Sequence, residues 1–298
     1  MNPFGFDFDK IIIIESLPDH ERQIRNESLL SSGEYYTQIL FPYCEKIRKV
    51  KFDFELKKVQ SGKNLMSTLD LIHEETKNSN TYPLIHFEVH GREEQDGVTL
   101  KNNDFVDWES LLGKLTEINA VTANNLFVIF ATCSGAFNLK YIMPRDRVFP
   151  YYAALAPDNP DYPIFLEQRY SLFYLDLLIG NGVESAIKEI VKESGHSKII
   201  FSNCEYYLYN AFFNEIKNKN NSKRVDRLIN MLKRNGENNL NEKELRVRIN
   251  KILSSRIVDQ NVLENLKSKY LMANHPDNRN RFRFTSSELN AFFEKKKF

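Results

Sequence analysis

Short apolar runs alternate along this chain with segments whose apolar residues recur at helical spacing. Ile11 to Ile14 is an uninterrupted β-branched run, which is typical of a strand buried on both faces of a parallel sheet. Phe52 to Val59 alternates as a strand does, and Leu65 to Ile72 has helical periodicity. Another helical face, in which Pro42 must kink or restart the helix, comprises Tyr36, Ile39, Leu40, Tyr43 and Ile47. This order predicts a doubly wound, mainly parallel α/β sheet with flanking helices.

The clearest strand, helix and strand unit lies between Pro83 and Gly135. Two apolar runs of strand length, PLIHFEVHG and LFVIFATCSG, flank one helical face that comprises Trp108, Leu111, Leu112, Leu115 and Ile118. A parallel crossover returns the chain beside its start, so the carboxyl ends of the two strands become neighbours. The first run ends in His90 and Gly91, and the second ends in Cys133. We therefore expect His90 and Cys133 to lie together at the sheet edge where α/β proteins bind ligands.

The pattern continues beyond Cys133 with a strand, two helices and a further strand, predicted at Tyr151 to Ala156, Phe165 to Ile179, Val183 to Val191 and Lys198 to Ser202. The composition then changes. Residues 217 to 256 contain 12 Lys or Arg against 4 Asp or Glu, a balance of +8 inside a chain whose net charge is +1. We predict one α/β domain over residues 1–216 and a mainly helical, basic C-terminal extension over residues 217–298.

Composition narrows the class of protein. With 298 residues and 42% hydrophobic content the chain can bury a substantial core, and a net charge of +1 gives no overall argument for nucleic acid or a membrane. The apolar run near the N-terminus is far shorter than the roughly 20 residues of a membrane span, and no basic region precedes it. Three cysteines make no disulfide framework. We therefore expect a soluble, cytoplasmic protein without a cofactor.

Cys133 and His90 are the strongest candidates for chemistry. A buried cysteine at the end of a strand is by itself more often part of the core. A thiol becomes a useful nucleophile when a base lies beside it, and His90 would supply that base. Gly91 lacks a side chain, so its backbone N–H can approach the oxyanion of a tetrahedral intermediate, as the N–H of Cys133 can.

These residues resemble those of a known family. A strand ending in His-Gly, followed 43 residues later by Cys133 within Ala131-Thr132-Cys133-Ser134-Gly135, is similar to the caspase-like (clan CD) cysteine peptidases. Small bacterial members, including the CHAT group, are similar across about Ile11 to Asn203. The resemblance implies a cysteine endopeptidase in which His90 is the general base, Cys133 the nucleophile and Gly91 an oxyanion donor. At Thr132 and Ser134 the Gln and Arg of the caspase motif are absent, so aspartate specificity is not implied.

The resemblance also implies control. Bacterial relatives serve as regulated effectors, including in phage defence and programmed cell death, so an activating nucleotide-like signal or partner protein is expected. The alternative is a catalytically silent caspase-like scaffold that binds a nucleotide or a protein. The basic segment is the candidate regulatory region, and its candidate regulatory residues are Arg224, Arg227, Lys233 and Arg234. The alternative interpretation of the segment is that its basic residues only form solvated helix faces.

Two further groups of residues are candidates near the dyad. His86 and Glu88 share one strand face with His90, which is compatible with a metal site, although we favour a hydrogen-bonded supporting role for His86. Glu88 either orients His90 or forms a salt bridge at the sheet edge. Specificity is expected from loops that carry Asp158 and Asp161 on one side and Arg145 and Arg147 on the other. Carboxylates in a pocket select Arg or Lys and guanidinium groups select Asp. We favour a basic residue at P1, the substrate position before the cleaved bond.

Overall fold

The computed structural model describes residues 7–25, 28–142, 148–192, 197–208, 226, 229, 241–254, 260–278 and 281–289. Its contacts divide the chain into two compact units. One comprises Met1–Cys204 with Lys269–Arg281, and the other comprises Glu205–Ser268 with Phe282–Phe298. The domain boundary that the sequence suggests, at residues 216 and 217, lies outside the described residues.

The described strands and helices follow the alternating order of the sequence pattern. The strands are β1 (Lys10–Ser16), β2 (Gln23–Arg25), β3 (Ser28–Leu30), β4 (Asp53–Lys58), β5 (Pro83–Gly91), β6 (Gly97–Thr99), β7 (Phe105–Asp107), β8 (Phe127–Ala131), β9 (Ala153–Pro157) and β10 (Ile199–Asn203). The α-helices are α1 (Ser32–Tyr35), α2 (Phe41–Arg48), α3 (Gly62–Ser79), α4 (Trp108–Val121), α5 (Pro163–Ile179), α6 (Val183–Lys192), α7 (Glu242–Ser254) and α8 (Gln260–Leu271).

The main sheet has the order β4-β1-β5-β8-β9-β10. Its strands are parallel except β10, which runs antiparallel to β9. Strand β6 pairs with the end of β5 and with β7, and β2 pairs with β3 in a separate hairpin. The predicted mainly parallel α/β sheet with flanking helices is confirmed, and its strand order is compatible with a doubly wound fold. Winding reverses between β1 and β5, and such a switch point opens a crevice at the carboxyl edge of a sheet.

Helices cover both faces of this sheet. Phe87 of β5 stacks on Phe130 of β8 with ring centroids 5.4 Å apart, and Trp108 of α4 meets Phe130 edge-on at 5.6 Å. His86 points to the opposite face, because side chains alternate along a strand, and there it stacks on Tyr174 of α5. The buried β-branched and aromatic runs therefore form strands that are covered on both sides, as the uninterrupted apolar pattern predicts.

The segment around Pro42 departs from the predicted pattern. A π turn spans Tyr36–Leu40, and α2 follows it without a break in the helical backbone, with Pro42 in its first turn. The single apolar face is wrong beyond the turn. Tyr43 and Ile47 are each 52% exposed, whereas Phe41 and Cys44 are fully buried. A π turn holds one extra residue, which rotates the following helix relative to a regular α-helical pattern.

The C-terminal region is described in part. Thr285 and Glu288 form a reciprocal cap, since the N–H of Thr285 donates to Glu288 Oε2 at 2.7 Å and the N–H of Glu288 donates to Thr285 Oγ1 at 3.2 Å. Among the residues that the structure describes, no helix has both the length and the apolar character needed to cross a membrane.

Candidate active site

The pairing of β5 with β8 brings the predicted dyad to one edge of the sheet. The two strands are parallel, with a register that runs from Leu84 opposite Phe127 to Glu88 opposite Ala131. Each pair is 43 positions apart, and the same offset relates His90 to Cys133. His90 therefore lies in the last residues of β5 and Cys133 lies just after β8, so both are at the carboxyl edge beside the switch point.

Gly91 lies against the peptide of Cys133. A Cβ atom built on Gly91 would lie 1.9 Å from the carbonyl oxygen of Cys133 and 2.9 Å from its carbonyl carbon. Real Cβ atoms do not approach a backbone so closely, and a peptide unit inside a sheet cannot move away as a flexible side chain does. Glycine at this position is thus what allows the His90 strand end to approach the Cys133 turn.

Cys133 itself is half-buried and sits on a tight turn. Its Sγ lies 3.7 Å from the carbonyl oxygen of Asp161, and the next residue, Ser134, adopts the left-handed conformation with φ 56°. Non-glycine residues in this conformation are strained and concentrate at functional sites. The N–H of Gly135 donates to the carbonyl oxygen of Thr132 at 2.9 Å, so that amide is already engaged within the turn.

His90 has a partner that the sequence did not suggest. Its Nε2 lies 2.9 Å from Oε1 of Glu21, and the side chain of His90 is 35% exposed. Glu21 ends a short 3₁₀ turn, Asp19–Glu21, that follows β1. Because Ser16 of β1 pairs with Val89 of β5, the chain leaving β1 passes beside His90. This relation becomes visible once the strand order is known, since about 70 residues separate the two groups in sequence.

His86 and Glu88 form a buried contact on the same face of β5. His86 Nε2 and Glu88 Oε1 lie 3.0 Å apart, although neither atom meets the geometry of a hydrogen bond. Burial lowers the pKa of His86 to about 3. Burial, together with the charges of Glu15 and Glu167, raises the pKa of Glu88 well above its usual range. The contact therefore joins a neutral imidazole to a protonated carboxyl group rather than two ions.

Tyrosines enclose this pair. Tyr174 Oη lies 2.8 Å from His86 Nδ1, and Tyr36 and Tyr170 pack their rings against the imidazole. Burial raises the pKa of all three phenols, so they remain neutral. Within the described parts of the chain, no group of three or more His, Cys, Asp or Glu side chains is placed to hold a metal ion. His86 and Glu88 thus lie in an aromatic, largely uncharged layer beneath the dyad.

Asp158 and Asp161, the candidate specificity residues, anchor the loop after β9. Oδ2 of Asp161 accepts a hydrogen bond from Ser197 Oγ at 2.7 Å and lies 3.9 Å from Arg169 Nη1, while Oδ1 accepts the N–H of Tyr162 at 2.9 Å. Oδ1 of Asp158 accepts the N–H of Lys198 at 2.8 Å. These contacts fix the loop whose carbonyl oxygen reaches Cys133. The remaining candidates lie outside the described residues: Arg145, Arg147, Arg224, Arg227, Lys233 and Arg234.

Neither the protein-family models nor the curated proteins compared with this chain give a match. The chemistry of the site is therefore inferred from its own groups. They are a half-buried thiol, an imidazole paired with a carboxylate, and a glycine pressed against the peptide of the thiol residue. A thiol and an imidazole in this relation can carry out acyl transfer by nucleophilic catalysis.

Proposed function

We propose that this protein is a cysteine endopeptidase with a caspase-like fold, in which Cys133 is the nucleophile and His90 the general base. The observation that carries the proposal is the parallel pairing of β5 with β8, whose last pair is Glu88 and Ala131, so that His90 and Cys133 each lie two residues beyond it. The strand order and the antiparallel β10 are compatible with such a fold. The order of the two residues in the chain and the Ala-x-Cys-x-Gly turn give further support.

The proposed reaction follows from the groups at this edge. His90 takes the proton of the Cys133 thiol, and the thiolate attacks the carbonyl carbon of the substrate peptide bond. The N–H groups of Gly91 and Cys133 stabilise the resulting oxyanion. When the tetrahedral intermediate collapses, the C–N bond breaks and the leaving amine receives the proton from His90. Water, activated by His90, then hydrolyses the thioester and regenerates the thiol.

We further propose that the peptidase is a regulated effector and that it prefers a basic residue at P1. Regulation is inferred from the resemblance to bacterial caspase-like proteins, since a constantly active cytoplasmic protease would be toxic. The preference for a basic residue at P1 follows from the carboxylates of the loop after β9. Because the Asp161 carboxylate is bound to Ser197 and to the N–H of Tyr162, Asp158 is the carboxylate of this loop with more capacity to meet a substrate.

A peptide-library cleavage assay tests this proposal. Purified protein is incubated with the library, with and without cell extract as a source of activator, and the products are identified by mass spectrometry. We expect cleavage after Arg or Lys that is lost in Cys133→Ala and in His90→Ala. Since both residues act as one unit, the double variant should resemble either single variant. Cleavage that persists in Cys133→Ala would rule out the peptidase, and strict cleavage after Asp would overturn the P1 preference.

A further inference from the structure

We propose that Glu21 is a positioning residue that holds His90 at the site and stabilises its charged form during the reaction, so that the site operates as Cys133, His90 and Glu21 together. This inference rests on the proposed function, because it assigns a role within the same site. It comes from the 2.9 Å contact between Glu21 Oε1 and His90 Nε2, which joins the turn after β1 to the end of β5.

The contact acts through charge during the proposed reaction. In that step His90 takes the proton of the Cys133 thiol, and sulfur retains the electron pair. His90 then carries a positive charge, and the carboxylate of Glu21 beside it stabilises the imidazolium.

The turn that carries Glu21 is held on both sides. The N–H of Glu21 donates to the carbonyl oxygen of Pro18 at 3.1 Å. Asp19 pairs with Lys101 at 2.8 Å, and Arg22 pairs with Glu34 at 2.8 Å. Lys101 and Arg22 thus pair with other carboxylates, and the carboxylate of Glu21 is available to His90.

The surroundings of Glu21 favour a functional role over a surface ion pair. Its second oxygen, Oε2, is buried and has no hydrogen-bond partner among the described residues, which is costly in a folded protein and calls for an explanation. Two nearby groups compete only weakly with the Glu21–His90 contact. His20 Nε2 is 3.9 Å from Oε1 of Glu21, and the His20 side chain is 80% exposed. Burial raises the pKa of Glu88, which disfavours the charged form of that second carboxyl group.

The test compares Glu21→Gln with Glu74→Gln. Glutamine keeps the shape of Glu21 and removes its charge, whereas Glu74→Gln makes the same change on α3, where Glu74 Oε1 lies 3.1 Å from His73 Nδ1, and does not touch His90. Two readouts are followed across pH: cleavage of a peptide that the wild type cuts, and the rate at which iodoacetamide alkylates Cys133. Thermal unfolding of each variant checks the fold.

We expect Glu21→Gln to lower kcat by about 10-fold to 100-fold, less than the 10²–10⁴ typical of losing a general base, with KM changed less than about twofold. Alkylation of Cys133 should slow by a similar factor, because the imidazolium of His90 has lost the carboxylate that stabilises it. Glu74→Gln should behave as the wild type does. Glu21→Asp, which keeps the charge on a shorter side chain, should have intermediate activity.

The two readouts separate failure of this inference from failure of the peptidase. If the wild type cuts no peptide, the peptidase is wrong, and the alkylation profile still measures the coupling of Glu21 to His90 and Cys133. Identical alkylation and cleavage profiles for wild type and Glu21→Gln would overturn the positioning role. If Glu21→Gln does not fold, Glu21→Asp carries the test, and unchanged profiles in that variant would count against the role.

Discussion

At the scale of single residues, the missing side chain of Gly91 sets the distance between the two strand ends of the site. We expect Gly91→Ala to abolish activity and to lower the free energy of unfolding by at least about 3 kcal/mol, because the new methyl group would overlap the Cys133 peptide. Urea unfolding measured alongside peptide cleavage checks both effects.

Gly113→Ala provides the matched control. Gly113 lies inside α4, and a Cβ atom there meets no other atom within 4 Å. Alanine is the better helix former by about 0.5–1 kcal/mol, so this variant should be slightly more stable and fully active. A Gly91→Ala protein that matched Gly113→Ala in stability and activity would refute the close packing at the site.

Glu88 gives a prediction about pH. In the unfolded chain its carboxyl group loses its proton above about pH 4.5, whereas the folded protein raises that pKa and retains the proton to higher pH. The contribution of protonated Glu88 to stability is therefore full below pH 4.5 and falls as pH rises. Glutamine does not titrate, so the melting temperature of Glu88→Gln minus that of the wild type should increase steadily above pH 4.5.

Glu45 is the control of opposite sign. The hydrogen bond from Lys51, followed by one from the N–H of Phe52, lowers the pKa of Glu45, so its contribution to stability is present above pH 4.5 and is lost as pH falls through the lower folded pKa. Glu45→Gln should therefore be less stable than the wild type at neutral pH and approach it in acid. A melting-temperature difference for Glu88→Gln that stays constant with pH would contradict the buried, protonated carboxyl group.

The residues of the site differ in how far the sequence could reveal them. His90 and Cys133 stand at the ends of apolar runs, and the crossover rule makes such ends neighbours. Glu21 lies in a polar turn without periodicity, and its place beside His90 depends on the pairing of β1 with β5. The role of Asp161 as an anchor likewise depends on Ser197, which a loop and two helices separate from it in sequence.

At the scale of elements, the loop between β9 and α5 supports the site through buried polar contacts. Asp161→Ala should lower the free energy of unfolding by about 2 kcal/mol, since Ser197 and the buried Arg169 lose their carboxylate partner. It should also slow cleavage, because the loop carbonyl beside Cys133 is no longer held in place. Stability and kcat are measured on the same preparation.

Asn159→Ala tests whether these effects are specific to the anchor. Asn159 is exposed on the same loop, so its substitution should change stability by less than about 0.5 kcal/mol and leave cleavage intact. If Asp161→Ala behaved like Asn159→Ala, the loop would not depend on the buried network.

Strands and helices with a strong hydrophobic pattern could be predicted from the sequence. The prediction of the helical face with Tyr43 and Ile47 was wrong for a local reason. The run Ile11 to Ile14 and the helical face of α4 have one dominant period each, and the structure buries them as expected. The face assigned to Tyr43 and Ile47 assumed a continuous α-helix. The π turn before Pro42 changes the phase by one residue, which a regular 3.6-residue pattern cannot indicate.

At the scale of the whole molecule, charge is distributed unevenly along the chain. The 12 basic residues between 217 and 256 are predicted to bind an activating, phosphate-bearing signal. Replacing Arg224, Arg227, Lys233 and Arg234 by Glu should abolish activation by cell extract and leave the basal alkylation of Cys133 unchanged, because phosphate contacts depend on positive charge. Activation equal to that of the wild type would mean that the segment is ordinary solvated surface.

Selective labelling of Cys133 is the sharpest test of whether His90 activates this cysteine as a nucleophile. A peptidyl acyloxymethyl ketone reacts with thiols that a neighbouring histidine activates, and Cys44 and Cys204, both fully buried, serve as internal references. We expect labelling at Cys133 in the wild type, detected by mass spectrometry, and a reaction in His90→Ala that is slower by about 100-fold or more, since a general base typically contributes about 10²–10⁴-fold. Equal labelling rates in wild type and His90→Ala, or a Cys133 no more reactive than the buried cysteines, would contradict a cysteine peptidase and favour a silent scaffold.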